Sequence, residues 1–263
     1  MKVKILLAAV VLTASFTAKS WAWGSTGHRI VTEIAERNLT KKAKKNLKKV
    51  IGDQKLAYFA NWADFVKSNP DFKEKDSWHY LNIEAGLDKD GCYESIESSS
   101  DRNLYKRSLL LIDDLKNNKE LTNEEQREAL YYLVHMIGDA HQPMHVGRPE
   151  DLGGNKITVE YFGQRTNIHS VWDSKLIDSE QYSYTEYSDI LNNLTKEQIK
   201  EVQEGELKDW LYDAYLKATD IYNEVDNNRT LRYEYQYNNK YKLEEQLQKG
   251  GLRLAKILNE IYG

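Results

Sequence analysis

The amino-acid sequence predicts a mainly α-helical, single-domain fold with one small β-hairpin. Apolar residues recur every three to four positions through five long segments, which is typical of amphipathic helices. Only one short segment alternates apolar and polar residues as a half-buried strand does. The chain has only three prolines in 263 residues. With neither a Pro- or Ser-rich linker nor an internal repeat, nothing in it marks a domain boundary.

The predicted helices are spread over the whole length of the chain. They span residues 27–38, 103–117, 123–140, 207–225 and 242–261. In the first, for example, Ile30, Val31 and Ile34 fall on one face. The predicted strand, residues 156–162, follows a Gly-Gly turn and begins the hairpin. We therefore expect one helical domain over residues 23–263.

The first 22 residues have the features of a secretory signal peptide. A lysine-bearing start is followed by an apolar run over residues 5–11 and by the small residues Ser20 and Ala22. The run is shorter than the roughly 20 residues that a membrane helix needs. We expect cleavage between Ala22 and Trp23, no membrane insertion, and a secreted or periplasmic product.

Composition narrows the kinds of site that the chain can build. Six histidines and one cysteine exclude an internal disulfide and a cysteine-rich zinc module, so a metal site must use nitrogen and oxygen ligands. The formal net charge is −4. Loss of three lysines with the leader leaves 34 basic against 41 acidic residues, or about −7. This balance argues against a protein that binds nucleic acid through a generally basic surface.

The strongest chemical signal is the segment from His135 to His145. His135 and Asp139 are four residues apart, so on a helix they lie on one face and can hold one ion between them. Pro143 is expected to end that helix, which lets His145 reach a second ion.

A second pair with the same spacing is formed by His169 and Asp173. A single such pair is more often a buried histidine satisfied by a carboxylate. Two pairs together with His28, His79 and His145 in one short chain favour a metal site instead.

Imidazole and carboxylate ligands suit zinc, although iron, manganese and cobalt accept the same donors. Divalent ions held close together polarise phosphoryl oxygens and lower the pKa of water to about 7. Hydrolysis of a phosphodiester is therefore the leading chemistry.

These motifs resemble those of the trinuclear-zinc, single-strand-specific nucleases, the family of mung bean nuclease, the secreted fungal nucleases and the plant bifunctional nucleases. Zinc-dependent phospholipase C is a more distant relative with a similar fold. The resemblance covers nearly all of the chain after the leader. The motifs are Trp23-Gly-x-x-Gly-His28, Trp62-Ala-Asp64, Trp78-His79-Tyr80, the run from His135 to His145, Asp151-x-Gly-Gly-Asn155 and His169-x-x-x-Asp173.

The resemblance implies three zinc ions held by nine residues. The sets are Asp64, His79, His135 and Asp139 for the first ion, Trp23, His28 and Asp139 for the second, and His145, His169 and Asp173 for the third. It further implies that Asp139 bridges the first two ions, that a hydroxide between them is the nucleophile, and that the third ion stabilises the leaving 3′-oxygen. Asp64, Asp139 and Lys67 are the catalytic residues in this interpretation.

Trp23 would bind through its free α-amino nitrogen and its carbonyl oxygen, which form a five-membered chelate ring. That nitrogen is available only when no residue precedes it and when it is deprotonated. Export and activity would then be coupled. The alternative is that Trp23 is an ordinary buried aromatic residue near the terminus.

Three residues are candidates for substrate contacts. Lys67 follows Asp64 by one helical turn and would bring charge to the phosphate, or it is a solvated surface lysine. Tyr80 and Asn82 stand where the family places an aromatic and a polar residue that bind a nucleobase. The fungal nucleases have Asp where this chain has Asn82, and an amide also donates hydrogen bonds, so base preference is open. His141 matches a histidine of the family that is not a metal ligand.

The lysine-rich run over residues 40–49 has Ala43 and Leu47 spaced beneath it, which favours a solvated amphipathic helix over a nucleic-acid patch. We assign no function to the tyrosines near residues 182–187 and 233–241.

The leading hypothesis is an exported monomeric nuclease with three zinc ions, which cuts single-stranded RNA and DNA to 5′-phosphorylated products and has 3′-nucleotidase activity, without an obligate protein partner. The alternatives are a zinc-dependent phospholipase C and a non-catalytic metal-binding or helical adhesion protein.

Overall fold

The computed structural model describes residues 23–263, so the predicted leader and its cleavage site lie outside the described residues, apart from Trp23. The predicted mainly helical class is confirmed. The α-helices are α1 (Ser25–Arg37), α2 (Lys41–Ile51), α3 (Leu56–Phe59), α4 (Trp62–Val66), α5 (Lys89–Ser98), α6 (Leu104–Asn117), α7 (Asn123–Asp139), α8 (Ile168–Ser170), α9 (Leu176–Ser179), α10 (Tyr184–Leu191), α11 (Lys196–Val202), α12 (Leu207–Asn227) and α13 (Tyr233–Tyr262). The 3-10 segments Pro70–His79 and Pro143–Val146 and a π-helical segment, Val171–Lys175, complete the helical structure.

All five predicted long helices are present, as α1, α6, α7, α12 and α13, and most of their ends lie within two residues of the prediction. The exception is α13, which begins at Tyr233 and not at residue 242. Its first turns expose Tyr237 and Tyr241 and bury Asn239, so apolar residues there do not mark the inner face.

Several short helices were not predicted, although their starts carry local signals. Thr195 and Gln198 form a capping box at the start of α11, and Ser183 and Glu186 form one at α10. These helices are too short to show a clear period, so only the caps could have indicated them.

The predicted hairpin is confirmed and is part of a three-stranded sheet in the order β2-β1-β3. Strand β1 (Thr158–Tyr161) pairs antiparallel with β2 (Gln164–Asn167), and Val159 lies opposite Thr166. Strand β3 (Thr230–Leu231) pairs with β1 in parallel. Two residues are too few to show alternation, which is why β3 could not be predicted from the sequence.

Close packing of long helices positions the functional residues. Helix α1 packs most extensively against α13, at a point where Gly251 lies so near Ile34 that a Cβ atom on it would be 2.5 Å from the Ile34 Cβ. Helix α7 packs against α1, α6 and α13. The imidazole rings of His28 on α1 and His135 on α7 stack with their centroids 3.7 Å apart. Across the described residues, no helix has the length and apolarity to cross a membrane.

Candidate metal centre

Eight of the predicted ligand side chains converge in one buried cluster, which we call the metal centre. It contains five histidines and three aspartates, each with at most 6% of its surface exposed. The members are His28, Asp64, His79, His135, Asp139, His145, His169 and Asp173. Burying so many ionisable groups is costly unless a partner compensates their lost hydration.

The cluster divides into three groups in which all potential ligand atoms lie within 4.8 Å of one another. The groups are His28, His135 and Asp139; Asp64, His79 and His135; and His145, His169 and Asp173. The first two share His135 and are adjacent. The third group matches the predicted third ligand set residue for residue.

Main-chain carbonyl oxygens orient three of the imidazoles. Nδ1 of His135 lies 2.8 Å from the oxygen of Ala60, and Nδ1 of His169 lies 2.6 Å from the oxygen of Gly153. Nδ1 of His145 lies 2.5 Å from the oxygen of His79. Because a carbonyl oxygen only accepts, each Nδ1 carries the proton, and Nε2 is left with a lone pair that faces the cluster.

Several ring nitrogens of these histidines are buried without a hydrogen-bond partner among the described residues. They are Nε2 of His28, His79, His135 and His145, and Nδ1 of His28. Buried polar atoms without a partner are rare in folded proteins, and a bound ion is one of the few ways to satisfy them. The donor set therefore fits divalent metal ions, with nitrogen and oxygen ligands and no thiolate.

Asp139 occupies the middle of the cluster. Its Oδ1 lies 3.3 Å from Nε2 of His28, whereas its Oδ2 lies 3.0 Å from Nδ1 of His79 and 3.5 Å from Nε2 of His135. Its two oxygens thus face histidines of the two adjacent groups. A carboxylate in this position can bind two ions at once.

Burial sets the protonation of the cluster. It lowers the pKa of His28 to about 4 and brings the pKa values of His79 and His145 well below 6.5. It also raises the pKa of Asp139 well above 3.8. Neutral imidazole is the form that binds metals, and a cation at Asp139 would replace the proton that burial otherwise retains.

Gly138 allows α1 and α7 to approach at this point. A Cβ atom on Gly138 would lie 2.6 Å from Nδ1 of His28. Any larger residue would therefore displace the His28 ring from its stack with His135. Nothing in the sequence alone distinguishes this glycine from the others.

The start of the described chain lies against the metal centre. The backbone nitrogen of Gly24 donates to the carbonyl oxygen of Asp173 at 2.6 Å, and the Trp23 side chain is fully buried. The main chain of Trp23 is therefore adjacent to the residues of the third group. This location is compatible with both interpretations of Trp23, as a ligand and as a packed aromatic residue.

Lys67 forms an ion pair with one of the cluster carboxylates. Its Nζ lies 2.6 Å from Oδ1 of Asp64, and its side chain is 26% exposed. Burial alone would raise the pKa of Asp64, but His135 and Lys67 together hold it below the ordinary value. Lys67 thus lies at the rim of the metal centre and not on open surface.

Tyr80 and Asn82 lie in an extended segment that pairs with the chain around His145. The nitrogen of Leu81 donates to the oxygen of His145 at 2.8 Å, and Ile83 donates to Gly147 at 3.1 Å. Leu81 and Ile83 are buried, and alternation along an extended chain turns Tyr80 and Asn82 to the other side. Tyr80 is 44% exposed beside the third group.

His141 and Gln142 lie next to the metal centre in the chain but are held by other protein groups. His141 is fully buried, but its Nδ1 faces the oxygen of Ile137 at 2.8 Å and its Nε2 faces Arg253 at 3.1 Å, which leaves no nitrogen for a metal. The role of Gln142 was not predicted from the sequence. Its amide nitrogen donates to Asp173, and its amide oxygen accepts from the Met144 nitrogen at 2.6 Å.

Comparison with known proteins agrees with this arrangement. Residues 23–263 match the family described as S1/P1 Nuclease. The chain is 28% identical to Endonuclease 4 of Arabidopsis thaliana over 91% of this chain and 89% of the plant protein. It is 30% identical to Nuclease S1 of Aspergillus oryzae over 73% of this chain and 69% of that protein. It is 28% identical to Nuclease P1 of Penicillium citrinum over 92% and 98%, respectively. The family match covers every described residue, and the chain therefore belongs to the S1/P1 nuclease family.

Proposed function

We propose that this protein is an exported, zinc-dependent endonuclease that hydrolyses single-stranded RNA and DNA to 5′-phosphorylated products, with 3′-nucleotidase as a second activity. The observation that carries the proposal is the position of Asp139, whose two carboxylate oxygens face the histidines of two adjacent buried groups. Family membership supports a nuclease, and the named relatives are nucleases and endonucleases.

The proposed cofactors are three zinc ions. Asp64, His79, His135 and Asp139 would hold the first, Trp23, His28 and Asp139 the second, and His145, His169 and Asp173 the third. When bound, such ions supply an activated water at neutral pH and offset the charge of the phosphate. Imidazole and carboxylate donors without thiolate are compatible with zinc, as they are in other hydrolytic zinc sites.

The chain itself prepares the site for this chemistry. Carbonyl contacts hold the rings of His135, His145 and His169 before any ligand arrives, which reduces the reorganisation needed during the reaction. Lys67 would move from Asp64 to the phosphate when a cation neutralises that carboxylate. This exchange would bring to the substrate a positive charge that Asp64 offsets beforehand.

Tyr80 and Asn82 are proposed to hold a nucleobase next to the scissile bond. An exposed tyrosine ring offers a stacking surface that tolerates any base. The half-buried amide of Asn82 both donates and accepts hydrogen bonds, whereas an aspartate would only accept. We therefore expect base preference to differ from that of relatives with aspartate at this position.

The proposal includes processing at the N-terminus. Residues 1–22 would be removed as a signal peptide, and the domain over residues 23–263 would begin with Trp23, whose freed α-amino group would join the second ligand set. The protein would act as a monomer in the periplasm or outside the cell. Activity would then appear only after export.

Product analysis tests the proposal. The mature protein should cleave single-stranded DNA and RNA oligonucleotides and leave 5′-phosphates, as measured by mass spectrometry, and should release phosphate from a 3′-nucleotide. Hydrolysis of lecithin without hydrolysis of denatured DNA would favour the phospholipase C alternative. Absence of both activities in the zinc-loaded protein would contradict the proposed function.

A further inference from the structure

We propose that the lysine face of α2 is a second, remote contact surface that binds the phosphate backbone of long single-stranded nucleic acid. This inference rests on the proposed function, because it assigns the surface to the substrate of that site. The lysine face consists of Lys41, Lys42, Lys44, Lys45, Lys48 and Lys49.

The six lysines form one continuous exposed surface. All six are exposed, whereas Ala43 and Leu47 on the same helix are buried at 0% and 3% exposure. At 3.6 residues per turn, the lysines fall within an arc of about 160°. The helix is about 16 Å long, and it would lie beside about five phosphates of a stacked strand.

This arrangement is unfavourable for the helix itself. Lys41 and Lys45 are like charges four residues apart, as are Lys44 and Lys48, and each such pair costs about 0.2–0.5 kcal/mol. The first turn of α2 holds lysines and no acidic residue, which opposes the helix dipole. Among the ion pairs of residues 23–263, only Lys48 of the six has a partner, Asp53. Lys48 and Lys49 in the last turn favour the helix dipole, but helix stability gives no reason for the lysines of the first turn.

The surrounding charge makes the lysine face distinctive. Of the 34 basic residues that remain after leader removal, six lie in the 11 residues of α2, although the chain is acidic overall. Partners with dense negative charge, such as a nucleic-acid strand, would be attracted to this helix more strongly than to a surface of acidic composition.

A nucleic-acid strand fits the lysine face better than a membrane does. Amphipathic helices that bind membranes insert an apolar face among the lipids. The apolar side of α2 is already used, because Ala43 and Leu47 pack in the protein core. The exposed side therefore offers charge and no hydrophobic anchor.

The position of α2 determines the length of substrate that would reach it. Helix α1 carries His28 near its start and leads through residues 38–40 to α2, so about 14 Å of helix, from His28 to Arg37, separates the metal centre from the turn before the lysine face. At about 3.4 Å per nucleotide, 14 Å corresponds to about four nucleotides, so a strand must be longer than that to contact both. A dinucleotide would occupy the metal centre alone.

Charge neutralisation tests this inference. The variant K41Q/K42Q/K45Q/K49Q removes four charges and keeps Lys44 and Lys48. A matched control, K89Q/K119Q/K196Q/K200Q, removes four exposed lysines outside α2. The readout is kcat/KM of the zinc-loaded enzyme on a 40-nucleotide oligo(dT) and on a dinucleotide, at 50 and 200 mM NaCl, together with sedimentation with phosphatidylglycerol vesicles.

At 50 mM NaCl, the α2 variant should lose about tenfold in kcat/KM on the 40-mer and keep its value on the dinucleotide, and its salt dependence should be weaker. The control should match wild type on both substrates. Equal values for wild type and the α2 variant on the 40-mer would overturn the inference, as would loss of vesicle binding alone. If wild type hydrolysed neither substrate, the proposed function itself would fail.

Discussion

The two histidine–aspartate pairs share one sequence spacing but lie in different surroundings. His135 and Asp139 approach to 3.5 Å on the regular helix α7, and His169 and Asp173 approach to 3.2 Å where the helix widens into a π turn. Asp139 faces histidines of two groups, whereas Asp173 faces His145 and His169 of its own group and accepts a hydrogen bond from Gln142. The same spacing therefore produces a central pair and a peripheral pair.

Their protonation differs accordingly. Burial lowers the pKa of His135, and the nearby His28 lowers it further, despite Asp139. Burial alone would also lower the pKa of His169, but the facing Asp173 and the Gly153 carbonyl raise it above the ordinary value. Spacing thus fixes which groups meet, and the neighbours on other elements decide their charge.

The largest expected effect is a loss of kcat/KM on replacing the aspartate of the central pair, and it should exceed the loss at the peripheral pair. Asp139→Asn removes the charge that two proposed ions share, so kcat/KM on single-stranded DNA should fall by about a thousandfold or more, with the circular dichroism spectrum unchanged. Asp173→Asn affects one ion and should cost less, about a hundredfold. The exposed Asp178→Asn variant is the control and should match wild type. Retained activity in Asp139→Asn would refute the mechanism.

Removing Gln142, the neighbour of the peripheral pair, should weaken the binding of one ion only. Gln142→Ala takes away the amide that donates to Asp173, and loss of such an orienting contact typically costs about 10- to 100-fold in metal affinity. Competition with a zinc chelator should show one weakened site and two normal ones. Gln164→Ala, at an exposed position on β2, should leave all three unchanged. Equal weakening of all sites would show that Gln142 supports the whole centre.

Loss of the stacking surface should have a moderate effect. Tyr80→Ala should raise KM for a dinucleotide about tenfold with little change in kcat, because base stacking on an aromatic ring contributes roughly 1–3 kcal/mol. Tyr241→Ala is the matched control, since Tyr241 is 76% exposed on α13. A fall in kcat without a change in KM would argue against stacking.

The smallest effect concerns acid stability of the metal-free protein. Because the pKa of His135 is lowered in the folded protein, the unfolded chain binds a proton at a pH at which the folded protein does not. The free energy of unfolding therefore falls as the pH drops below 6.5. Because the pKa of His169 is raised, its contribution to the free energy of unfolding is fully present below pH 6.5 and is lost as the pH rises. Urea unfolding in EDTA between pH 7.5 and 5.5 measures both. His135→Gln should reduce the loss of stability on acidification, and His169→Gln should increase it. Identical slopes in the two variants would contradict this difference.

Most residues of the metal centre could be predicted from the sequence because they lie in motifs that are local in the chain. The pairs of His135 with Asp139 and of His169 with Asp173 follow from helical spacing, and the long helices follow from apolar periodicity. The family resemblance supplied Asp64 and the assignment of ligands to ions. Without it, no spacing rule would connect Asp64 to His135, which lies 71 positions further along the chain.

What could not be predicted depends on contacts between distant segments. The carbonyl of Ala60 orients His135, and the carbonyl of Gly153 orients His169, but any residue type supplies a carbonyl. Gly138 is needed because α1 packs closely there, which only the fold reveals. The role of Gln142 depends likewise on a partner 31 residues away.

Metal content tests the central claim most directly. Zinc per chain should be measured in protein that begins at Trp23 and in protein with one alanine added before Trp23. We predict three zinc ions in the former, and two with impaired hydrolysis in the latter, because the added residue removes the free α-amino ligand. Equal zinc content and equal activity in the two proteins would contradict the role of Trp23, and fewer than three ions in the mature protein would contradict the trinuclear centre.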